Sequence, residues 1–445
     1  MASRANLLPL FLFLLVVPAL ATSGTIVFTT LGRSRYAFDI FALPLAPLSP
    51  SAAAAEIRLT DGASVNYNGN FAPSSSSESP SLLFVSERNG SLNLYLTPVP
   101  STAAAGRREA LEEADDSPTL TQLLPWDPIA LKDRPSLTPD GAHLVIDGSF
   151  PSFSHEGKRI AFVGLPGLFV VNSDGSGGRR RVFSGNAFPT TWDWKRKGVI
   201  YTSVGPDFAS ESTEVDVVAV SLGDDDDPNV SIKKLTVGGE NNAFPSPSPD
   251  GKWVVFRSGR SGHKNLYIMD AEDGEAGGIR RLTEGPWSDT MCNWSPDGEW
   301  IAFASDRDNP GGGSFAIYMV HPNGTGLRRV VHSADGGRTN HPWFSPDSKT
   351  LVFTSDYSVV SAEPISNPHH YQPYGEIFTV NIDGSGIRRL THNSFEDGTP
   401  SWTRYYLKPE DVGETLQASG TCAFEDCHWL NIDAQPDSLM CGKHG

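Results

Sequence analysis

The sequence predicts an all-β protein, a single β-propeller of four-stranded blades, and three observations carry that expectation. A short turn recurs at Ser248-Pro249-Asp250-Gly251, Ser295-Pro296-Asp297-Gly298 and Ser345-Pro346-Asp347-Ser348. Stretches rich in β-branched and aromatic residues follow each copy. No helical period competes with them.

Each copy of the turn has a physical reason to bend. Pro presets φ at the second position, Asp bonds nearby backbone, and Gly accepts the left-handed conformation that completes the hairpin. The next residues, Trp253-Val254-Val255-Phe256, Trp300-Ile301-Ala302-Phe303 or Leu351-Val352-Phe353, read as a strand. After a polar loop comes another strand, Leu266-Tyr267-Ile268-Met269, Ile317-Tyr318-Met319-Val320 or Ile377-Phe378-Thr379-Val380. Each leads to a hairpin signal, Asp273-Gly274, Asn323-Gly324 or Asp383-Gly384. The unit closes with Ile279-Arg280-Arg281-Leu282-Thr283, Leu327-Arg328-Arg329-Val330 or Ile387-Arg388-Arg389-Leu390-Thr391. Four strands in about 40 to 55 residues is the size of one propeller blade. A lone blade leaves both faces wet, so the repeats stabilise one another by stacking around an axis.

Looser copies of the turn stand at Thr138-Pro139-Asp140-Gly141 and Ser154-His155-Glu156-Gly157. Closing strands at Leu59-Thr60, Leu123, Val182, Leu235-Thr236, Leu282-Thr283, Val330 and Leu390-Thr391 give about seven blades, with six or eight left open. The propeller is placed over residues 24–407. Its first segment, Thr25 to Thr60, has strands at Ile26-Val27-Phe28 and Asp39-Ile40-Phe41 but no opening turn, and Pro400-Ser401-Trp402-Thr403 begins a repeat that does not continue. The two defects are complementary. Pro400-Ser401-Trp402 is therefore expected to supply the innermost strand of the N-terminal blade and close the ring.

Arg4 precedes the apolar run Leu7 to Leu20, and Ala19-Leu20-Ala21 offers small residues for cleavage, so residues 1–23 read as a secretory signal peptide rather than a membrane span. The expectation is a secreted protein of the extracellular space or cell wall, without a membrane anchor. A formal net charge of −17 over 445 residues repels phosphate backbones and anionic lipid, which argues against nucleic-acid and membrane-surface binding. The runs Glu112-Glu113-Ala114-Asp115-Asp116 and Asp224 to Asp227 read as solvated loops. Residues 408–445 form a Cys-containing tail. In an oxidising compartment Cys422, Cys427 and Cys441 are disulfide candidates, and a zinc site at Cys422, Cys427 and His428 has too few other ligands to compete. Cys292, in a predicted strand, either pairs with that tail or stays a buried thiol. Asn89, Asn229 and Asn323 head glycosylation sequons, while a fourth, at Asn293, falls in a core strand.

The pattern Pro-x-Trp/Phe-Ser-Pro-Asp-Gly, then Ile/Val-x-Phe, Tyr-x-x-x-x-Asp-Gly and Arg-Arg-Leu-Thr, resembles the TolB-type (WD40-like PD40) propeller repeat, also found in the N-terminal domain of dipeptidyl-peptidase-IV-like proteins. In particular the chain is similar to secreted plant cell-wall proteins of this type. The peptidase activity does not carry over. No Gly-x-Ser-x-Gly elbow occurs, Gly259-Arg260-Ser261-Gly262-His263 fails the pattern, and too little chain follows Trp402 for a hydrolase domain. Trp192-Asp193 is not a WD40 signature, because it precedes the Lys197-Gly198 turn instead of ending a third strand.

Loops that join one blade to the next gather at one mouth of a propeller's channel, where ligands bind. Here they contribute Asn242, Trp287, Asp289, Asn340, His341 and Asp397, polar and aromatic side chains suited to holding a sugar or peptide, and equally suited to capping turns. Asn340-His341-Pro342-Trp343-Phe344-Ser345-Pro346-Asp347 is similar to a segment of oligogalacturonate lyases, which use a propeller of this repeat type and a channel metal held largely by histidine. His369, His370 and Gln372, the other conceivable ligands, lie in a long loop, so no metal or other cofactor is assigned. Arg88, Arg260 and Arg307 recur in register after a blade's second strand. A residue repeated in every blade serves the blade, here by hydrogen-bonding the adjacent loop backbone. The leading expectation is thus a non-enzymatic binder of an extracellular protein or polysaccharide, with no catalytic residue, and the alternative is a metal-dependent, lyase-like carbohydrate-active enzyme centred on the channel mouth.

Overall fold

Seven four-stranded antiparallel sheets make up the propeller in the computed structural model. It describes residues 24–34, 37–45, 56–60, 66–71, 81–86, 93–99, 121–122, 136–137, 144–145, 147–164, 167–174, 176–206, 214–223, 229–238, 240–332, 337–356, 375–391, 396–404 and 406–407. Residues 1–23, the tail with Cys422, Cys427 and Cys441, and Arg88, Asn89, His369, His370 and Gln372 all lie outside these residues.

Blades are numbered here by their inner strands: Asn66–Phe71 in blade 1, Asp147–Phe153 in blade 2, Asn186–Trp192 in blade 3, Ala243–Pro247 in blade 4, Asp289–Trp294 in blade 5, Thr339–Phe344 in blade 6 and Glu396–Thr403 in blade 7. In blades 1 to 6 the strands follow one another in sequence from the inside out. Blade 7 instead takes its inner strand from the C-terminal side and continues with Gly24–Ser34, Ala37–Leu45 and Ile57–Arg58. Thr25, Ile26 and Val27 pair with Thr403, Trp402 and Ser401, the ring closure read from the two incomplete repeats. An extra two-stranded ribbon, Ser136–Leu137 with Leu144–Val145, precedes blade 2. The looser turn copy Thr138-Pro139-Asp140-Gly141 falls between its strands, outside the described residues, and the copy at Ser154 makes the first turn of blade 2.

The repeated turn works by a two-residue clasp. Ser248 Oγ donates to Asp250 Oδ1 at 2.6 Å and accepts the Trp253 N–H at 2.9 Å, while Asp250 Oδ1 accepts the Lys252 N–H at 3.1 Å. Ser295 with Asp297 and Ser345 with Asp347 repeat the arrangement. The fourth residue sits in the left-handed region, at φ 74° in Gly251, 79° in Gly298 and 64° in Ser348. Only the third copy tolerates a side chain there, and Ser348 Oγ accepts the Asp297 N–H of the neighbouring blade at 3.1 Å.

Behind the turns, aromatic side chains stand directly opposite one another on the second and third strands. Phe28 and Phe41, Phe84 and Tyr95, Phe162 and Phe169, Phe303 and Tyr318, and Phe353 and Phe378 stack with ring centroids 5.6 to 6.0 Å apart, and Phe256 with Tyr267 lies at 6.1 Å. Such pairs add to plain burial. Blade 3 lacks one, since Thr202 there faces Val218. Between blades, indoles bridge the gap: Trp192 Nε1 donates to Ser152 O at 3.0 Å and Trp294 Nε1 to Ser246 O at 2.9 Å.

Trp402 packs with Ile26, Phe28, Phe41 and Leu43 of blade 7 and Val352 and Ile377 of blade 6. Trp402→Ala is expected to lower stability in denaturant unfolding by about 3–5 kcal/mol, the cost of emptying a large buried site. Trp343→Ala, at a position 43% exposed, is expected to change it by less than about 0.5 kcal/mol.

Candidate functional site

Counting back from the turn sorts the expected mouth residues. Asn242, Asp289 and Asp397 each stand six residues before the first turn residue of their blade, as do Asn66 and Thr339, and all five are fully buried. They therefore occupy one repeat position. Asn242 Nδ2 donates to Asp216 Oδ1 at 3.1 Å, and its Oδ1 accepts from Arg260 at 3.1 Å. Asp289 Oδ1 accepts from Arg307 at 2.8 Å and its N–H reaches Lys264 O at 2.7 Å, while Oδ2 is buried without a hydrogen bond. Asp397 Oδ1 accepts from Thr30 Oγ1 at 2.6 Å and its backbone exchanges hydrogen bonds with Gly375. The mouth residues of blades 4, 5 and 7 are the polar ties that seat each inner strand on its surroundings.

The arginines expected to serve the blade supply part of this seat. Arg307 Nε donates to Ser305 Oγ at 3.0 Å, and its guanidinium lies over Trp287, Phe303 and Tyr318 at 5.0, 5.3 and 4.5 Å. Arg260 copies it with Ser258, Phe256 and Tyr267 and also binds Glu275. Their main partners are side chains, where the sequence suggested loop backbone. Trp287 thus forms the outer lid of the Arg307–Asp289 pair, with its Nε1 buried and unbonded. Because Arg307 is, among the described residues, the one cation bonded to buried Asp289, Arg307→Ala should cost about 3–5 kcal/mol in denaturant unfolding, the penalty for stranding a buried charge.

A second recurring device was missed in the sequence, although the repeated Leu-Thr pair announces it. Thr60, Thr236 and Thr391 each accept the N–H of a residue on the third strand, Ile40, Val217 and Ile377, and donate to the acid preceding it, Asp39, Asp216 and Glu376. Thr283 accepts the Leu266 N–H in the same way. The amide of Asn242 and that of Asn66 reach those same acids from the next inner strand.

At the closing seam this device brings two carboxyls together. Glu376 binds Arg389 at 2.6 Å and Thr391, and burial with the nearby Asp397 carboxylate holds its pKa well above the ordinary value of 4.5, against the pull of Arg389. The folded protein then keeps a proton that the unfolded chain releases. This contribution to stability is full below the ordinary glutamate range and is lost as pH rises from 4.5 through neutrality. Unfolding free energy measured across that interval should fall with pH in the native protein and fall less in Glu376→Gln.

His341 lies within the inner strand of blade 6, in a bulge that every blade repeats. Ladder pairing slips at this level in all seven inner strands. The left-handed residue there is Asn68 in blade 1, Phe244 in blade 4, Met291 in blade 5 and His341 in blade 6, at φ 54°, 57°, 54° and 52°. The strained conformation belongs to the bulge, whatever the side chain. Burial pushes the His341 imidazole down to about 4, so the ring is neutral at physiological pH, and its Nδ1 is buried without a hydrogen bond. Asn340, the residue before it, is buried and faces Thr354. Among the described residues no three His, Cys, Asp or Glu side chains converge as a metal site. Cys292 is a buried free thiol in the inner strand of blade 5, its pKa pushed up to about 12 by burial.

The expected site residues are thus spread over four blades, and only Trp287 and Asp289 share one cluster. Trp192 ends the inner strand of blade 3 and Asp193 opens its turn, which bears out the rejection of a WD40 reading.

Comparison with known families matches residues 202–362 to PD40, the TolB β-propeller domain. A comparison with curated proteins finds no match. Among solved structures the fold is similar to an oligogalacturonate lyase from Vibrio parahaemolyticus, at 13% identity and TM-score 0.51, covering 77% of this chain and 83% of that one. An oligogalacturonate lyase in complex with manganese scores 0.50 at 13% identity over 83% and 85% of the two chains. The β-propeller domain of the trilobed protease from Pyrococcus furiosus, described as having an open velcro topology, scores 0.50 at 10% identity over 83% and 95%. At these identities the likeness is one of fold, and here the ring is shut by pairing of the chain's two ends. The chain is a seven-bladed β-propeller whose residues 202–362 match the TolB-like PD40 repeat.

Proposed function

We propose that this propeller is a secreted, non-enzymatic binding module for a protein or polysaccharide of the extracellular space or cell wall. The observation that carries this reading is the employment of the mouth: Asn242, Asp289 and Asp397 are each hydrogen-bonded into the seating of an inner strand. Groups held in this way are scaffold, and a propeller whose conspicuous polar residues are scaffold acts by presenting a surface. The apolar leader at residues 1–23 supports secretion. Asn229 and Asn323 are exposed, as glycosylation requires, and Asn293 lies half-buried in an inner strand. With Asn89 they complete the sequons to be examined by mass spectrometry of the secreted protein.

A second reading, a lyase-like enzyme at the channel mouth, draws on one specific observation, the unbonded buried Nδ1 of His341. One experiment separates the two. The purified secreted protein is screened for binding to cell-wall polysaccharides and extracellular proteins, while release of unsaturated sugar product is followed. Binding without product, unchanged in His341→Ala, is the expected result. Product release that disappears in His341→Ala transfers the case to the enzyme.

A further inference from the structure

Blade 3 makes its first turn without the Ser-Pro-Asp clasp. Asp193 does the work alone: its Oδ1 accepts the N–H groups of Lys195 and Arg196 at 2.8 and 2.7 Å, and its Oδ2 binds the Arg196 guanidinium at 2.7 Å and the Tyr201 hydroxyl at 2.8 Å. Among the described residues the side chains of Trp194, Lys195 and Lys197 take no part in holding the turn. Trp194 stands where the turns of blades 4, 5 and 6 have proline and is 49% exposed. His155, from the turn of blade 2, stacks on it at 4.0 Å and 19°. One face of the indole is therefore covered, and the exposed half is the opposite face and rim.

The turns that meet around Trp194 carry several lysines. Lys158, Lys195, Lys197 and Lys252 are all exposed. Lys195 crosses to the turn of blade 4, close enough that a Cβ on Gly251 would meet its Cβ at 2.8 Å, so the turns of blades 2, 3 and 4 abut. Of the nearby carboxylates, Glu156 faces Arg159, Asp193 binds Arg196, Asp250 serves its own turn and Lys252, and Glu272 acts on Arg196. Lys158, Lys195 and Lys197 make no ion pair among the described residues. In a chain of net charge −17, this is a local reversal of sign around an exposed aromatic ring.

We propose that the joined turns of blades 2, 3 and 4 form a binding platform for an acidic oligosaccharide, with the open face of Trp194 stacking a sugar ring and Lys195 and Lys197 meeting its carboxylates. The proposal rests on the reading of the chain as a binding module and names its ligand class. A flat, half-exposed indole matches the C–H face of a pyranose, and mobile ammonium groups match carboxylates spaced along a chain. An acidic peptide is the weaker fit. Extended peptides are gripped by pairing to free backbone, and these turns are closed by their own hydrogen bonds, from Ser154 N to Arg159 O, Asp193 N to Val199 O and Ser248 N to Trp253 O.

The test is a titration of the full-length secreted protein with oligogalacturonate, a neutral β-glucan oligosaccharide and poly-glutamate, at low and high salt. Wild type is expected to bind oligogalacturonate in preference to the other two, and more weakly as salt rises. Trp194→Ala, and separately Lys195→Gln combined with Lys197→Gln, are each expected to weaken binding by about tenfold or more. All three side chains are exposed, and equal melting temperatures verify that the variants are folded. Binding of oligogalacturonate undiminished in both variants would overturn the platform and leave the binding module standing. Preference for the neutral glucan or for poly-glutamate would overturn the ligand class. Failure to bind these probes, combined with failure of the wider binding screen, would remove both readings.

Discussion

The pairing of the first and last strands is the constraint on which the rest of the structure depends. A blade is apolar on both faces and becomes stable only when each face meets a neighbour. Blade 7 supplies the last two faces, and it exists only if Glu396–Thr403 adds to Gly24–Ser34. The seam is built accordingly. Ile26, Phe28 and Trp402 pack onto Val352 and Ile377 of blade 6, Thr30 binds Asp397, and the Leu407 N–H reaches Thr25 Oγ1 at 2.8 Å. Contacts so distant in sequence form at a high cost in loop-closure entropy, which apolar burial along the seam offsets.

Recurrence and departure separate scaffold from surface. The turn serine of blades 2, 4, 5 and 6, the threonine closing the fourth strand of blades 3, 4, 6 and 7, and the arginine that binds the buried polar residue opening the inner strand of blades 4 and 5 return with equivalent partners. Such residues answer a need that every blade shares. A ligand has no sevenfold symmetry, so its site is sought where the repeat breaks. Blade 3 breaks it twice, in the missing aromatic pair and in the turn at Asp193-Trp194-Lys195-Arg196-Lys197.

Much of the fold was legible in the sequence because propeller repeats encode it locally. Ser-Pro-Asp-Gly fixes the first hairpin, Asp383-Gly384 and its equivalents fix the last, and the strands between have nowhere else to go. The closure was legible for the same reason, since two incomplete repeats at opposite ends complete one blade. The site was less legible. Asn242, Asp289 and Asp397 look like ligands in a loop, and only their common distance from the turn reveals a structural position. His341 looks singular until Met291 and Phe244 are seen in the same bulge. The stacking of His155 on Trp194 joins residues of two blades and had no signature in either segment alone.

Hydrogen exchange of backbone amides in the two strands of the seam tests the central claim most directly. If ring closure holds the propeller together, the amides of Ile26 to Leu31 and of Asp397 to Thr403 that lie in the ladder exchange as slowly as those of the Trp253–Ser258 strand in blade 4, and all are lost together as denaturant is raised. Rapid exchange of the C-terminal strand while the other blades stay protected would contradict the account, because the ring would then stand without its seam.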